Sequence, residues 1–302
     1  MKSMMKAFCA WLARSPRCWW LAEHTVLRLS RAMEWQREVH EDHLRKQHLA
    51  AKTSEFFADL VVRHGPFQGV RYPWAMACGS PLFSKILGSY ERELSGVVEE
   101  LCRIPYTTIL NIGSAEGYYA VGLAKRIPTA TVTAFDINPE ARQLARQLAD
   151  GNGVGDRFQV DGACTPELLV ERCRGKQGLI ISDCEGYERL LFTPEVARVL
   201  TGWDILIEVH DLIDIEVSTS LLAAFAASHE VVRVQSVDDI QKALTYGYPE
   251  LSKLSVGERR ELLGEGRRSI MEWFIACGSA APGGTRLAAA CDATLKLRAG
   301  AA

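Results

Sequence analysis

Between residues 107 and 277, apolar runs of strand length alternate with stretches of helical periodicity. Strand-type runs are predicted at 107–113, 131–137, 157–161, 178–183, 204–210, 230–236 and 269–277. Helical spacing is predicted at 117–127, 139–150, 165–174, 187–200 and 214–228, with further helical segments at 238–245 and 255–264. Such alternation demands a mostly parallel sheet covered on both faces. The predicted fold class is therefore α/β, a Rossmann-like seven-stranded mostly parallel sheet with helices on both faces and an N-terminal helical extension. In that extension, residues 1–60 read as helix, and the charged run 34–52 forms its solvated faces. Residues 61–90, rich in Gly, Pro and aromatics, predict irregular but ordered backbone. Helical periodicity returns at 91–102, with Leu94, Val97, Val98 and Leu101 on one side. Three regions result: residues 1–105 as a lid or oligomerisation element, 106–278 as the α/β domain, and 279–302 as a flexible Ala- and Gly-rich tail.

Composition narrows the function classes. With 48% apolar and 24% charged residues in 302, the chain is an ordinary globular mixture. A net charge of −2 gives no argument for a nucleic-acid partner. Nine cysteines without a C-x-x-C spacing point to reduced thiols, hence to a cytoplasmic protein. The N-terminal apolar run 7–13 stops at Arg14 without a cleavage site, and no segment reaches the length of a membrane span. Trp11, Trp19 and Trp20 lie among Arg14, Arg17 and Arg28. The preferred reading is an amphipathic helix packed on its own protein or on a second subunit, which predicts a homodimer through the N-terminal helices and no stable membrane association. A membrane surface is the alternative.

Ligands of doubly wound sheets sit at the carboxyl ends of the strands, so the candidate chemistry is sought there. The first strand runs through Asn111 into Gly113-Ser114-Ala115-Glu116-Gly117, and the second ends on Asp136-Ile137. A glycine turn lets backbone approach a ligand, and an acid after the second strand accepts hydrogen bonds from ribose hydroxyls. A dinucleotide pattern would need glycines where Ala115 and Tyr118 stand, which disfavours an NAD-dependent oxidoreductase. The third strand ends on Asp161-Gly162-Ala163, where Asp161 reads equally as a helix cap. The fourth leads into Asp183-Cys184-Glu185-Gly186-Tyr187-Glu188. Asp183 and Glu185 share a side while the backbone stays extended, and Glu185 reads equally as a helix-capping acid. The fifth, ending Glu208-Val209-His210-Asp211, places Glu208 and His210 on one face. An acid inside a central strand needs a partner. A histidine at the strand mouth has a pKa suited to general-base work near neutrality, and it reads equally as a satisfied core residue. Asp183, Glu185, His210 and Asp211 also form an oxygen- and nitrogen-rich set for a divalent metal, the less favoured reading. Tyr90, Glu91, Tyr118 and Tyr119 are candidates for closing the pocket.

The Gly113-x-x-x-Gly117 turn resembles the first motif of class I S-adenosylmethionine methyltransferases, and Asp183-x-Glu185-Gly186 resembles the D-x-E-G motif of FkbM-type enzymes, which mostly methylate hydroxyls of small molecules. The resemblance implies S-adenosylmethionine as cofactor, 106–278 as its binding domain and an antiparallel last strand. It assigns Asn111, Gly113, Ser114, Glu116 and Gly117 to the first-motif side of the site. Asp136 would then hold the ribose diol, Ile137 would lie against the adenine, and Asp161 and Ala163 would flank the adenine amino edge. Asn111 departs from the acid usual at its position. Asp183 or His210 would receive the proton as an acceptor oxygen, less favourably a nitrogen, of a small molecule is methylated. A catalytically degenerate S-adenosylmethionine-binding partner or regulatory protein is the non-enzyme alternative.

Overall fold

The computed structural model describes residues 2–267 and 269–299. Two compact units divide the chain, Met1–Ala51 and Lys52–Ala302. The expected boundary at 105 therefore moves to 51, because residues 52–105 pack with the sheet domain.

The first unit is helical: α1 (Lys2–Arg14), α2 (Pro16–Ala22), a π-helical turn over Glu23–Leu27, and the start of α3 (Arg28–Phe56). Ser15 caps α2, its side chain accepting from the Cys18 amide at 3.4 Å, and Pro16 suits the first turn because its missing N–H needs no partner there.

In the second unit, α4 (Leu82–Leu87) and α5 (Ser95–Cys102) precede a sheet of β1 (Thr108–Ile112), β2 (Thr131–Phe135), β3 (Phe158–Asp161), β4 (Gly178–Ser182), β5 (Trp203–Val209), β6 (His229–Gln235) and β7 (Glu272–Gly278). The strand order is β3-β2-β1-β4-β5-β7-β6. Only β7 runs against the others, inserted between β5 and β6. All seven expected strands are present, and the last is antiparallel as the resemblance implied. Connecting helices are α6 (Tyr118–Arg126), α7 (Pro139–Gly151), α8 (Pro166–Cys173), α9 (Glu188–Leu191), α10 (Pro194–Val199), α11 (Val217–Phe225), α12 (Asp239–Thr245) and α13 (Val256–Leu263). The single helix expected at 187–200 is thus two, because Pro194 cannot donate within a continuing helix and starts a new one behind the Thr193 cap.

β1, β4 and β5 are buried almost throughout, as strands covered on both faces must be. One apolar cluster joins Phe135, Ile180, Phe192, Trp203, Ile207, Phe225 and Phe274. Each such side chain contributes roughly 2 kcal/mol of burial.

The expected flexible tail is corrected in part. α14 (Gly284–Ala299) is a helix, with Leu287, Ala288 and Cys291 buried; residues 300–302 lie outside the described residues. Its start is fixed by Asp204, which is fully buried and accepts from the Gly283 and Gly284 amides at 2.8 and 3.2 Å and from the Tyr106 hydroxyl at 2.7 Å. A composition rich in alanine and glycine hides this anchor, because the anchoring acid is 79 residues upstream.

Candidate functional site

β1 and β4 are neighbours whose connections leave to opposite sides, so a crevice opens at their carboxyl ends. A cavity of about 1020 Å³ lies there. Gly113 is the tightest point of its wall. Its φ is +73°, and a Cβ would sit 1.6 Å from the Asp183 carbonyl oxygen, so β1 and β4 close only around a glycine. The Gly113 and Ser114 amides both donate to the Phe135 carbonyl at 2.9 Å, which ties the turn to the end of β2. Asp136 completes the corner, accepting from the Ala115 amide at 2.8 Å on one oxygen and from the Asn138 amide at 2.8 Å on the other.

The structure brings Asn111, Gly113, Ser114, Asp136, Ile137 and Ala163 together on the cavity wall. Ile137 is 81% exposed, an apolar side chain held open at the rim. Asn111 Oδ1 and Ser114 Oγ are buried without a hydrogen-bond partner in the protein, which leaves two polar atoms for a ligand to satisfy.

Three expected cofactor residues are placed elsewhere. Glu116 is fully buried and accepts from Lys85 Nζ at 2.5 Å, the Cys78 amide at 3.0 Å and the Tyr72 hydroxyl at 3.1 Å. It fastens residues 72–85 to the sheet and has no face on the cavity. Gly117 caps α6 at φ +95°, where a Cβ would press Ala145 at 3.3 Å. Asp161 accepts from its neighbour Gly162 N and pairs with Arg172 at 3.2 Å, outside the cavity wall.

The other end of the cavity is acidic and aromatic. Asp183, Glu185, Glu208 and His210 line it together with Tyr90, Tyr118, Tyr119 and Trp273. His210 is buried, and its Nδ1 lies 2.7 Å from Glu188 Oε1. Glu188 is fully buried and also accepts from the Cys184 and Gly186 amides at 3.2 and 3.3 Å. Burial would push the Glu188 carboxyl up, but the His210 bond and charge and the backbone donors outweigh it and hold the group below its usual range. An ionised carboxylate only accepts, so Nδ1 carries the hydrogen and Nε2 is the ring nitrogen left for chemistry. Nε2 faces Asp183 Oδ1 at 3.5 Å and Glu185 Oε2 at 3.6 Å. Burial pulls the His210 pKa down, yet the Glu188 bond and the charges of Glu188, Glu208 and Glu185 prevail and raise it.

Asp183 is shifted in the opposite direction to Glu188. Burial, then the negative charges of Glu208, Glu91 and Glu185, hold its carboxyl well above the usual range. Glu185 reaches the cluster from a left-handed backbone, φ +53°, a conformation that is costly outside glycine.

One atom from each of Asp183, Glu185 and His210 falls within 4.8 Å of the others, a separation that would let all three ligate one cation. Asp211, expected to join them, instead accepts from the Ser218 amide at 2.8 Å at the foot of α11.

Glu208 has the partner its burial demands. Arg267 bonds Glu208, Glu91 (2.6 Å) and Glu265 (3.0 Å), and Lys242 Nζ lies 2.5 Å from Glu265. Tyr119 donates to Glu91 at 2.5 Å. Burial raises Glu91 to about 8 even though Arg267 pulls the other way. Glu188, Arg267 and Glu265 were not anticipated as site residues. Glu208 signalled that a partner was needed, and Glu188 stands two residues beyond the Asp183-x-Glu185-Gly186 motif.

No protein-family model matches the chain. It is similar to the release factor glutamine methyltransferase of Deinococcus radiodurans, 38% identical over 86 residues, which is 28% of this chain and 29% of that protein. It is also similar to the ribosomal protein L11 methyltransferase of Pelotomaculum thermopropionicum, 31% identical over 103 residues, 34% of this chain and 32% of that one. The chain thus spans less than a third of the length of these relatives. Among solved structures, the O-methyltransferase TomG of Streptomyces achromogenes in complex with SAM overlaps 62% of this chain and 80% of its own at 13% identity and a TM-score of 0.43.

Proposed function

We propose that the chain is an S-adenosylmethionine-dependent methyltransferase acting on an oxygen, less favourably a nitrogen, of a small-molecule acceptor such as a sugar or natural-product intermediate. The observation that carries this reading is the layout of one cavity. A glycine-and-aspartate corner forms one end, and at the other a buried imidazole has one nitrogen held by Glu188 and the second turned to Asp183 and Glu185. The names of the relatives support methyl transfer and include protein acceptors; the Asp183-x-Glu185-Gly186 turn, with its resemblance to FkbM-type enzymes, supports a small hydroxylated one.

The residues present fit the cofactor. Gly113 leaves space that a Cβ would fill, and Asn111 Oδ1 and Ser114 Oγ lack partners. S-adenosylmethionine supplies an electrophilic methyl group on a sulfonium sulfur. Asp136, fixed by two amides, retains lone pairs for a ribose diol, and Ile137 and Ala163 offer apolar surface to the base. His210 Nε2 is positioned as the proton acceptor, with Glu188 stabilising the imidazolium. Asp183 holds its own proton and is suited to donating a hydrogen bond that orients the acceptor; His210 is therefore preferred over Asp183 as the base. Turnover insensitive to EDTA is expected on this reading.

Calorimetric titration with S-adenosylmethionine, S-adenosylhomocysteine and NAD is the first test. Binding of the adenosyl ligands alone, lost in Asp136→Ala, is expected; no adenosyl binding defeats the proposal. An acceptor screen follows, in which His210→Ala should lower turnover roughly 100-fold with cofactor affinity unchanged. Cofactor binding with no turnover on any hydroxylated acceptor would favour the degenerate binding-partner reading.

A further inference from the structure

The first unit is a helical surface whose apolar side chains are left in solvent. Phe8, Trp11, Trp19, Trp20, Leu29 and Met33 are each between 45% and 65% exposed. They are not scattered. Met4, Phe8 and Trp11 follow i, i+4, i+7 along α1, and Lys6 falls on the opposite side. Leu29 and Met33 repeat the i, i+4 spacing at the start of α3.

Charge decides what such a face fits. Residues 1–33 hold six of the chain's 35 Lys and Arg but only one of its 37 Asp and Glu, so this stretch carries +5 while the remainder carries −7. Pairing with the same face of a second copy would bring two such charges together. An anionic lipid surface complements the charge and also accepts the aromatic side chains, because indole rings favour the headgroup boundary. No helix among the described residues is long and apolar enough to cross a membrane, so insertion across the bilayer is not the way this face is covered.

We infer that residues 2–33 form a reversible docking element for anionic lipid surfaces, with Trp11, Trp19 and Trp20 entering the headgroup region and Arg14, Arg17, Arg28 and Arg31 supplying positive charge toward the lipid phosphates. It competes with the homodimer expected from the sequence and is independent of the chemistry assigned to the cavity.

The test is co-sedimentation of the full chain with vesicles of phosphatidylcholine and phosphatidylglycerol in equal parts, against vesicles of phosphatidylcholine alone. Binding at least roughly tenfold stronger to the anionic vesicles is expected, and it should weaken as salt shortens the Debye length. Trp11→Ser with Trp20→Ser, and separately Arg14→Glu with Arg17→Glu, should each lower it roughly tenfold while the helical circular dichroism is kept. Two substitution pairs guard against misfolding of either one. Equal binding to both vesicle types, or binding to neither, overturns the inference. A concentration-dependent dimer abolished by the Trp pair, without vesicle binding, would assign the face to a second copy.

Discussion

The two ends of the cavity are built by different means. At the β1–β2 end, residues 111–138 form the wall largely by themselves, and backbone amides do the holding: Gly113 and Ser114 on Phe135, Ala115 and Asn138 on Asp136. At the β4–β5 end, side chains from distant segments do it, Glu91, Glu208, Glu265 and Arg267 in one network and Glu188 with His210 in another. The local corner depends on its glycine and on the one carboxylate, Asp136, that two amides hold. The long-range charged assembly depends instead on Arg267, the cation that Glu91, Glu208 and Glu265 share.

The sharpest way to break the first half is Gly113→Ala. The new Cβ would meet the Asp183 carbonyl oxygen at 1.6 Å from a positive φ, so β1 and β4 must part. A loss of about 4 kcal/mol or more in urea denaturation is expected, together with loss of adenosyl-ligand binding. A near-normal denaturation midpoint would mean that the corner is not fixed as described.

The corresponding break in the second half is Arg267→Ala, which strands Glu208 and Glu91 in the interior, while Glu265 keeps Lys242, at an expected cost of about 3–5 kcal/mol. Protonation of the stranded acids should lessen that cost at lower pH. The same network sets the pH dependence of the parent protein. Glu91 is raised to about 8 and Asp183 and His210 are also raised, so between the ordinary carboxylate range and about pH 8 the folded state binds more protons than the unfolded one. Thermal stability should therefore fall as pH rises from about 5 to about 8. A midpoint that instead climbs over that interval would contradict the buried acid cluster.

This contrast also governs what could be read from the chain alone. The strands, the Gly113 turn and Asp136 were legible because each is a local pattern, an apolar run, a glycine at a strand end, an acid at the next. Glu208 was legible as a problem, a carboxylate in a central strand, but nothing local among 35 Lys and Arg identifies Arg267 as its answer. Glu188 carries no local sign of its role: the left-handed backbone at Glu185 and Gly186 turns the chain so that Glu188 reaches back to His210. Glu116 and Asp161 are the opposite case. Both sit where a cofactor contact is expected in sequence, and both are already occupied, by Lys85 and by Arg172.

A smaller effect isolates the His210 pair. Glu188→Gln keeps an acceptor oxygen for Nδ1–H but removes the charge that raises the imidazole. With His210 as base, turnover rises with pH through its raised pKa in the parent enzyme, and in the variant that inflection should move to lower pH. The plateau rate is expected to drop roughly tenfold, since the imidazolium loses its counter-charge. An inflection that stays in place would show that His210 does not set the pH dependence and would leave Glu188 a structural acceptor for the Cys184 and Gly186 amides.

The smallest expected effect tests where the local half ends. Asp161→Asn removes one member of an ion pair with Arg172, both side chains about two-fifths exposed. A pair so open to solvent should contribute no more than about 0.5 kcal/mol to stability. Because Asp161 does not line the cavity, adenosyl-ligand affinity should also be unchanged, in contrast to its loss on removing the Asp136 carboxylate. The two acids stand at equivalent ends of adjacent strands, and sequence position alone does not separate them. What separates them is direction: Asp136 is held by the Ala115 amide of the first-motif turn and by the Asn138 amide, Asp161 by an arginine on α8. A clear fall in affinity for Asp161→Asn would mean that Arg172 releases the carboxylate when ligand binds, and the backbone-built wall would then extend through β3.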